Sequence, residues 1–460
     1  MSFFLKKTFE SVVESSSATS LKKNLTAFDL VLLGLGAIIG TGVFVLTGLI
    51  ASKYSGPAII ISYVIAGIVC IFVALVYTEI CTMLPTSGSV YSYSYVAFGE
   101  GFAWITLGVL VVEMLCGTAA VSAGWSAYIV ELFNNAGIHL PKALIAAPSE
   151  GGICNVPALI ITAIVALLLY LGTKESKKMN AILVLIKMIV LTIFLVLAAP
   201  KFDIKRWEVF MPFGFNKVIT GGSILFFAYT GFGIIAASAE ECKNPKKDIT
   251  IGIIGSLVIS ILIYVVISAV VTGAVYYYEL DNPKPLAYVL TKNGIKMGSM
   301  ILSVGAVCGM TTVIIVQLYA ASRVVYVASR DGLLPSVFSK VHSKYHSPYV
   351  SIGVVCLASG LLGGLVPCQT IAQLSSMGAL FDYSIVALIV MLFRITKKDY
   401  TRPFKCPAIF IVAPIAFISC TYLLSRQIVD SNFNILLTGK ILFSYIAITF
   451  VLYFVNKAIR

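Results

Sequence analysis

Apolar runs of about twenty residues recur along this chain and constrain its fold more than any other feature of the sequence. A helical run of that length spans the hydrocarbon core of a bilayer, whereas barrel strands alternate over only about ten residues. The chain of 460 residues is 59% hydrophobic and 12% charged, with a mean hydropathy of +0.98. Soluble domains are about half apolar and about a quarter charged. The sequence therefore predicts an all-α integral membrane protein.

Counting these runs predicts twelve transmembrane helices. They fall at residues 27–49, 57–84, 101–131, 157–172, 178–199, 217–240, 248–275, 297–328, 349–367, 371–395, 407–425 and 441–457. Residues 1–26 are polar and lack a signal-peptide core, so we expect a retained N-terminal tail. Segments on the side of this tail hold 20 Lys and Arg residues, and those on the opposite side hold 11. The positive-inside rule then places both termini in the cytoplasm of a multi-pass plasma-membrane protein.

Composition and motifs argue against an enzyme, a cofactor site and nucleic-acid binding. The net charge of +13 is spread over short loops without a basic stripe, which membrane topology explains better than nucleic acid does. No loop is long enough for a soluble catalytic domain, and neither a nucleotide-binding P-loop nor zinc-ligand spacing is present. We predict no metal, no cofactor and no soluble partner. Cys154 and Cys368 fall near the predicted outer face, where they could form a disulfide.

The first span contains glycines where a membrane helix would normally have leucine. The stretch LGLGAIIGTGVF, residues 33–44, includes Gly34, Gly36, Gly40 and Gly42. In one interpretation Gly36 and Gly40 form a GxxxG motif that lets two helices approach closely. In the other, the helix is discontinuous, and its unwound backbone is tolerated because it lines a cavity.

The sixth span has interruptions at a matching position. The stretch GGSILFFAYTGFGIIAASAEE, residues 221–241, places Gly231 and Gly233 in the middle of the span. Transporters built from inverted repeats have such breaks at corresponding positions of their two halves. The N–H groups at a half-helix N-terminus suit a carboxylate, and freed carbonyls suit an ammonium. Paired breaks therefore predict a site for a zwitterion such as an amino acid.

Four ordered motifs resemble the cationic amino acid transporter family of the amino acid–polyamine–organocation superfamily. They are GAIIGTGVF, LVVEMLCGTAAVSAGWSAY of the third span, FFAYTGFG followed by AEECKNPKKDI, and SRDGLLPSVFSKVHSKYHSP. The resemblance implies the leucine-transporter fold, in which residues 27–199 and 200–395 form two inverted repeats of five helices. Residues 396–460 would then be two appended helices, and residues 1–26 the cytoplasmic tail.

The resemblance also implies which groups hold the substrate. The backbone around Gly40, Thr41 and Gly42 would receive the α-carboxylate. The carbonyls that would receive the α-amino group are those of Ile38, Phe227, Ala228 and Thr230. The ring of Phe227 would close over the substrate as a gate.

One position departs from the family pattern. Members commonly have an acidic residue directly after the GF of the sixth span, and this chain has Gly233 there. An acid at that position could reach a substrate side chain or a gate. Its loss shifts the expectation from cationic toward neutral substrates.

Lys187 lies inside the fifth span. Burying an ionisable residue in a membrane costs free energy, so such a residue is a candidate functional residue. At 1.5 Å per residue Lys187 is about 13 Å from the start of the span. Its ammonium could snorkel to the interface. Alternatively, it could occupy the place of the sodium ion in sodium-coupled relatives and contact carbonyls of the broken first span. Desolvation disfavours the charged form of a buried lysine, so this group could take part in proton coupling.

Glu113 and Thr41 have several possible roles. Glu113 lies within the third span and could pair with Lys187, border the substrate or hydrogen-bond a neighbouring helix. The hydroxyl of Thr41 could contact the substrate or cap the broken helix.

Charged residues also gather at the predicted cytoplasmic ends of the second, sixth and eighth spans. They could form a network of ion pairs that acts as a gate, or they could simply be solvated at the interface. They are Glu79, Glu240, Glu241, Arg323, Arg330 and Asp331.

The function favoured by these observations is transport of an amino acid by alternating access, coupled to a proton. A sodium-independent amino acid exchanger and a transporter of cationic amino acids or polyamines are the alternatives. A channel would need a continuous polar path, and a receptor or scaffold would not need paired interruptions.

Overall fold

The computed structural model describes residues 3–9, 26–86, 88–171, 176–237, 244–282, 284–343, 345, 347–429 and 434–459. The α-helices are α1 Ala27–Ile38, α2 Thr47–Ile50, α3 Ile59–Met83, α4 Ser89–Ala97, α5 Glu100–Asn135, α6 Val156–Tyr170, α7 Ser176–Ala198, α8 Phe215–Leu225, α9 Gly233–Ala237, α10 Pro245–Ala274, α11 Pro285–Lys292, α12 Lys296–Arg330, α13 Tyr349–Leu365, α14 Cys368–Thr396, α15 Ile409–Ile428 and α16 Leu437–Ile459. The only β-pairing within these described ranges is one isolated bridge between Val429 and Ile435. The predicted all-helical fold is confirmed.

Helix length and apolarity agree with a membrane location. In the described part of the chain, nine helical stretches are long and apolar enough to cross a bilayer, and α6 and α13 are two shorter apolar helices. The first of the nine, Ala27–Met83, contains both the first and the second predicted spans. An all-helical membrane protein is therefore confirmed, whereas the count of twelve crossings stays a prediction.

Two helices in the connections were not predicted. They are α4 and α11, which lie between α3 and α5 and between α10 and α12. The sequence of α4, SVYSYSYVA, is too short and too polar to register as an apolar run.

Helix packing brings the two predicted interruptions together. Helix α5 packs against α12 and α14, while α1 packs against α10 and α7. A Cβ on Gly42 would overlap the Cβ of Ala228, and a Cβ on Gly231 would lie 2.5 Å from the carbonyl carbon of Ala37. The first and sixth spans therefore touch backbone to backbone at their glycines.

The described part of the predicted tail is docked onto the helices. The backbone N–H groups of Glu100 and Gly101, at the start of α5, donate to the carbonyls of Leu5 and Phe3, both at 2.9 Å. Such N–H groups have no partner within their own helix, so they need an external acceptor. Residues 3–9 provide that acceptor for α5.

The predicted possibility of a disulfide is wrong. Cys154 and Cys368 are both free thiols. The Sγ atom of Cys368 instead donates to the carbonyl of Ala120 at 3.4 Å.

Candidate functional site

The first interruption lies where the glycine-rich stretch predicts it. Helix α1 ends at Ile38, and Ile39 is extended, with φ −80° and ψ 97°. Helical backbone resumes at Thr41, followed by the π-helical turns Gly42–Leu46 and Ala51–Ser55 on either side of α2. Ile39 and Thr41 are fully buried. The predicted discontinuity is confirmed.

Close packing also favours glycine in this stretch. A Cβ on Gly36 would lie 2.9 Å from Oδ1 of Asn180 on α7, and a Cβ on Gly40 would lie 2.9 Å from Cγ2 of Val313 on α12. Both distances are shorter than real Cβ contacts. The packing and discontinuous-helix interpretations therefore apply to the same glycines.

The second interruption is a change of helix type. Helix α8 ends at Leu225, and residues Phe226–Phe232 form a 3₁₀-helix before α9 begins at Gly233. The irregular stretch thus starts ahead of Gly231, the first glycine of the predicted break. Stretches of 3₁₀-helix within a helix often mark functional hinges.

A hydroxyl joins the two interruptions. Tyr264 on α10 is fully buried, and its single O–H is shared between the carbonyl oxygens of Ile38, at 2.9 Å, and Ala228, at 3.0 Å. These are two of the carbonyls that the family resemblance assigns to the α-amino group. The Ile38 carbonyl, at the end of α1, has a second lone pair that can accept another donor, whereas the Ala228 carbonyl lies within a 3₁₀-helix whose i→i+3 bonds also use it.

The other two assigned carbonyls also accept hydroxyl donors. The carbonyl of Phe227 accepts from the hydroxyl of Thr230 at 3.0 Å, and the carbonyl of Thr230 accepts from Tyr383 on α14 at 3.0 Å. The sequence reasoning treated these four carbonyls as unsatisfied. In the structure each already has one hydroxyl partner.

Lys187 lies against the carbonyls of the first interruption. It is fully buried, and its Nζ donates to Gly36 at 3.0 Å and to Ile39 at 2.9 Å. The hydroxyl of Thr312 on α12 lies 2.6 Å from the carbonyl oxygen of Gly309 in its own helix and 3.2 Å from the Gly36 carbonyl oxygen. The lysine stem packs against Gly309, where an added Cβ would lie 3.1 Å from Cδ of Lys187. Because the ammonium is engaged in the interior, the snorkelling interpretation is wrong.

Thr41 does not cap the resumed helix. Its φ of −54° and ψ of −26° are already helical, whereas a capping residue adopts extended backbone, and its side chain makes no capping hydrogen bond. The hydroxyl instead lies 3.7 Å from the sulfur of Met310. Of the two predicted roles, the cap is therefore wrong and the substrate contact remains.

A small cavity lies beside the second interruption. It encloses about 40 Å³ that water-sized molecules can enter. That volume accommodates about three water molecules, at roughly 10–15 Å³ each. Its walls are formed by Tyr77, Ser89, Val90, Leu110, Glu113, Met114, Thr230, Gly231, Gly233, Ile234, Gln317, Ser375, Asp382 and Tyr383.

Only two of the predicted substrate residues line this cavity, namely Thr230 and Glu113. The others are buried outside its walls, around the contact between the two interruptions: Ile38, Gly40, Thr41, Gly42, Phe227 and Ala228. The predicted site therefore falls into two adjacent regions rather than one.

Glu113 faces α14 rather than Lys187. Its side chain lines the same cavity as that of Asp382 on α14, and its backbone carbonyl accepts from the hydroxyl of Ser375 on α14 at 2.9 Å. The predicted pairing with Lys187 is wrong, since the lysine binds backbone carbonyls. The predicted hydrogen bond to a neighbouring helix is confirmed. Glu113 lines the cavity, and its contact with the substrate stays a prediction.

Gly233 and Asp382 line the same cavity from different helices. A Cβ on Gly233 would lie 3.3 Å from the hydroxyl of Tyr383 and 3.5 Å from that of Tyr77. The acid that the family pattern places after GF is thus absent, but the cavity has an acid from α14 instead. The absence at Gly233 alone therefore does not indicate a neutral site.

The charged network near the C-terminal end of α3 has different partners from those predicted. Glu79 is buried and accepts two hydrogen bonds from Arg394, both at 2.7 Å. Nε of Arg402 lies 3.3 Å from the same carboxylate, and the backbone N–H of Cys406 donates to it at 2.8 Å. This cluster joins α3 to the end of α14.

The remaining predicted members of that network lie elsewhere. Asp331 pairs with Lys7 at 2.6 Å, and the guanidinium of Arg323 lies over the ring of Tyr319 at 4.1 Å from its centroid. The guanidinium of Arg330 lies 6.0 Å from the ring centroid of Tyr326. Glu240 and Glu241 fall outside the described residues.

Sequence reasoning missed three residues of the site. Asp382 lies inside the predicted tenth span, so the rule that singled out Lys187 could also have found it. Tyr264 and Thr312 gave no comparable signal, because hydroxyl-bearing residues within apolar helices most often only pack.

An all-helical membrane protein in which two interrupted helices meet beside buried charged groups belongs to the class of transporters with discontinuous helices. The chain belongs to the amino acid permease family, which matches residues 25–454. It is 42% identical over 429 residues to the branched-chain amino acid permease BcaP of Bacillus subtilis, with 92% of each chain covered.

Two further relatives extend the comparison. The methylthioribose transporter of Bacillus subtilis is 36% identical, with 92% of each chain covered. Cationic amino acid transporter 9 of Arabidopsis thaliana is 37% identical, with 85% of this chain and 70% of the relative covered. These relatives are transport proteins and not enzymes, and together with the family they support amino acid transport by a multi-pass membrane protein.

Proposed function

We propose that this protein is a secondary active transporter that moves an amino acid across the plasma membrane by alternating access, coupled to a proton. The main support is the contact of the buried Lys187 ammonium with the carbonyls of Gly36 and Ile39 at the first interruption. A cation that binds where a helix is broken can stabilise one arrangement of that helix. Gain or loss of its proton then changes the balance between arrangements.

The proposed architecture has twelve crossings with both termini in the cytoplasm. Residues 27–199 and 200–395 form two inverted repeats, and residues 396–460 form two appended helices. Contact between the first and sixth spans at Gly42 and Ala228 supports this layout, because inverted repeats meet at their broken helices.

The proposed substrate position lies between the two interruptions. Backbone N–H groups at Gly40, Thr41 and Gly42 bind the α-carboxylate, since the helix that begins there presents its N-terminus. The α-amino group binds the carbonyls of Ile38, Phe227, Ala228 and Thr230 and displaces their hydroxyl donors. The ring of Phe227 closes over the bound substrate.

A neutral branched-chain amino acid is the proposed substrate. Two relatives are named branched-chain amino acid permeases, and Val90, Leu110 and Ile234 give the adjacent cavity apolar walls. A cationic amino acid is the second candidate, because Glu113 and Asp382 line the same cavity and other relatives are named cationic amino acid transporters.

Counterflow in proteoliposomes tests the proposed carrier function. Vesicles are loaded with unlabelled leucine, and uptake of labelled leucine is followed without any ion gradient. Transient accumulation of label is expected, because a carrier exchanges substrate across the membrane. Equal and unsaturable entry into loaded and empty vesicles would contradict a carrier.

A thermal-shift screen of the purified protein against the twenty amino acids tests the substrate class. A ligand that binds only the native state stabilises it by about 2.7 kcal/mol at a concentration of 100 times Kd. Leucine, isoleucine and valine are expected to raise the melting temperature most. A larger shift with arginine or lysine would favour the second candidate.

A further inference from the structure

Two carboxyl groups meet in the interior of the helical bundle. Glu113 on α5 and Asp382 on α14 both form the wall of the cavity, and their carboxyl groups are close enough to interact electrostatically. Gly378, one turn before Asp382, lies so close that an added Cβ would be 2.9 Å from Cβ of Glu113. One turn earlier, the hydroxyl of Ser375 donates to the Glu113 carbonyl at 2.9 Å. Three successive turns of α14 thus hold Asp382 against Glu113.

The carboxylate of Asp382 accepts no hydrogen bond from an N–H or O–H donor among the described residues. The residue is fully buried. The nearby tyrosines are engaged elsewhere, since Tyr383 donates to the Thr230 carbonyl and Tyr77 shares a hydrogen bond of 2.7 Å with Ser89. The group within reach of Asp382 is therefore the carboxyl of Glu113.

No cation offsets the two acids in the part of the chain that the structure describes. The ion pairs formed there by lysine and arginine involve other carboxylates, and Lys187 binds backbone carbonyls. Two adjacent ionised carboxylates would repel each other, and the full burial of Asp382 adds the cost of desolvating its charge. One added proton removes the repulsion and creates the missing donor, because a protonated carboxyl donates an O–H bond to the neighbouring carboxylate.

We propose that Glu113 and Asp382 form a proton-binding site that holds one shared proton and presents a single negative charge to the cavity. Water in the cavity can deliver the proton, since the space accommodates about three molecules at roughly 10–15 Å³ each. The site is separate from Lys187, which lies at the first interruption, whereas the pair lies beside the second. The proton-binding site itself does not depend on the proposed transport function. Only its position beside the substrate path rests on that proposal.

Infrared spectroscopy of the purified full-length protein tests this site without requiring transport. The spectrum of the double variant Glu113→Gln, Asp382→Asn is subtracted from that of the wild type at neutral pH, in H₂O and in D₂O. One protonated carboxyl band that shifts in D₂O and one ionised carboxylate band are expected. Bands from two ionised carboxylates would overturn the proposal, and so would bands from two protonated carboxyls.

Further variants, a control and a separate transport assay distinguish the possible outcomes. The single variants Glu113→Gln and Asp382→Asn provide the same subtraction if the double variant fails to fold. Glu131→Gln is the matched control, since Glu131 is paired with Lys284 and should give only an ionised carboxylate band. Counterflow, measured separately, tests the carrier. Normal counterflow without a protonated carboxyl band would refute the shared proton but not the carrier. A protonated carboxyl band without counterflow would refute the carrier but not the shared proton.

Discussion

The ammonium of Lys187 lies 2.9 Å from the carbonyl oxygen of Ile39, at the point where α1 gives way to extended backbone. A broken helix leaves carbonyls without their usual N–H partners, and a buried ammonium needs acceptors for its three donors. Each feature therefore offsets the cost of the other. The lysine and the interruption form one unit of the site.

Tyr264→Phe should weaken the contact between the two interruptions. The substitution removes the hydroxyl that bridges Ile38 and Ala228 and leaves two buried carbonyls without that donor. Each unsatisfied group costs about 1–3 kcal/mol. Thermal unfolding of the purified variant should show a lower melting temperature and a smaller substrate-induced shift.

Tyr229→Phe is the matched control for that experiment. Its hydroxyl is in the same cluster of buried tyrosines but donates to a single carbonyl, that of Tyr63 at 3.1 Å. The loss should be smaller, and the substrate-induced shift should persist. Equal effects of the two variants would show that the Tyr264 bridge has no special role.

Gly42→Ala should separate the interruptions by steric overlap with Ala228. Overpacking of this kind costs about 1–3 kcal/mol, and displacement of the backbone should abolish substrate-induced stabilisation in the thermal-shift assay. The double variant Gly42→Ala, Ala228→Gly removes the methyl group that Gly42→Ala strikes, so part of the stability and binding should return.

Gly353→Ala controls for helix propensity in the same assay. An added Cβ at Gly353, on α13, meets no atom within 4 Å. Alanine is favoured over glycine within a helix by about 1 kcal/mol. Unchanged or slightly higher stability is expected here. A loss as large as that of Gly42→Ala would mean that any glycine substitution is harmful.

Glu79→Gln should destabilise the junction of α3 with the end of α14. The substitution removes the negative charge that faces Arg394 and Arg402, and breaking a buried pair costs about 3–5 kcal/mol. Lys53→Ala is the exposed control, because its pair with Asp281 is about half exposed, at 45% and 50% of the side chains, and such pairs contribute about 0–1 kcal/mol. Similar melting temperatures for both variants would contradict a stabilising role for the buried cluster.

The sequence predicts those parts of the fold that depend on local composition. Apolar run length determines where helices can cross a bilayer, and clustered glycines mark the interruption at Gly40. A lone charge in an apolar run identifies Lys187 before any partner is known. These features can be predicted without knowing which helices pack together.

Features that depend on distant pairs could not be predicted in the same way. Glu79 pairs with Arg394, which is 315 residues away in sequence, and Asp382 lies beside Glu113 of another helix. The hydroxyl of Tyr264 reaches two carbonyl groups only because α10 packs against α1. Their contacts follow from helix packing, which composition does not specify.

Uptake driven by a proton gradient in Lys187→Ala tests most directly whether Lys187 couples transport to a proton. Proteoliposomes take up a labelled amino acid selected by the thermal-shift screen, with and without an acidic exterior, at a fixed membrane potential. Wild-type protein and the exposed-loop control Lys205→Ala should accumulate several-fold more label with the gradient. Lys187→Ala should retain counterflow but show no response to the gradient. A response equal to that of the wild type would contradict the assignment of proton coupling to Lys187.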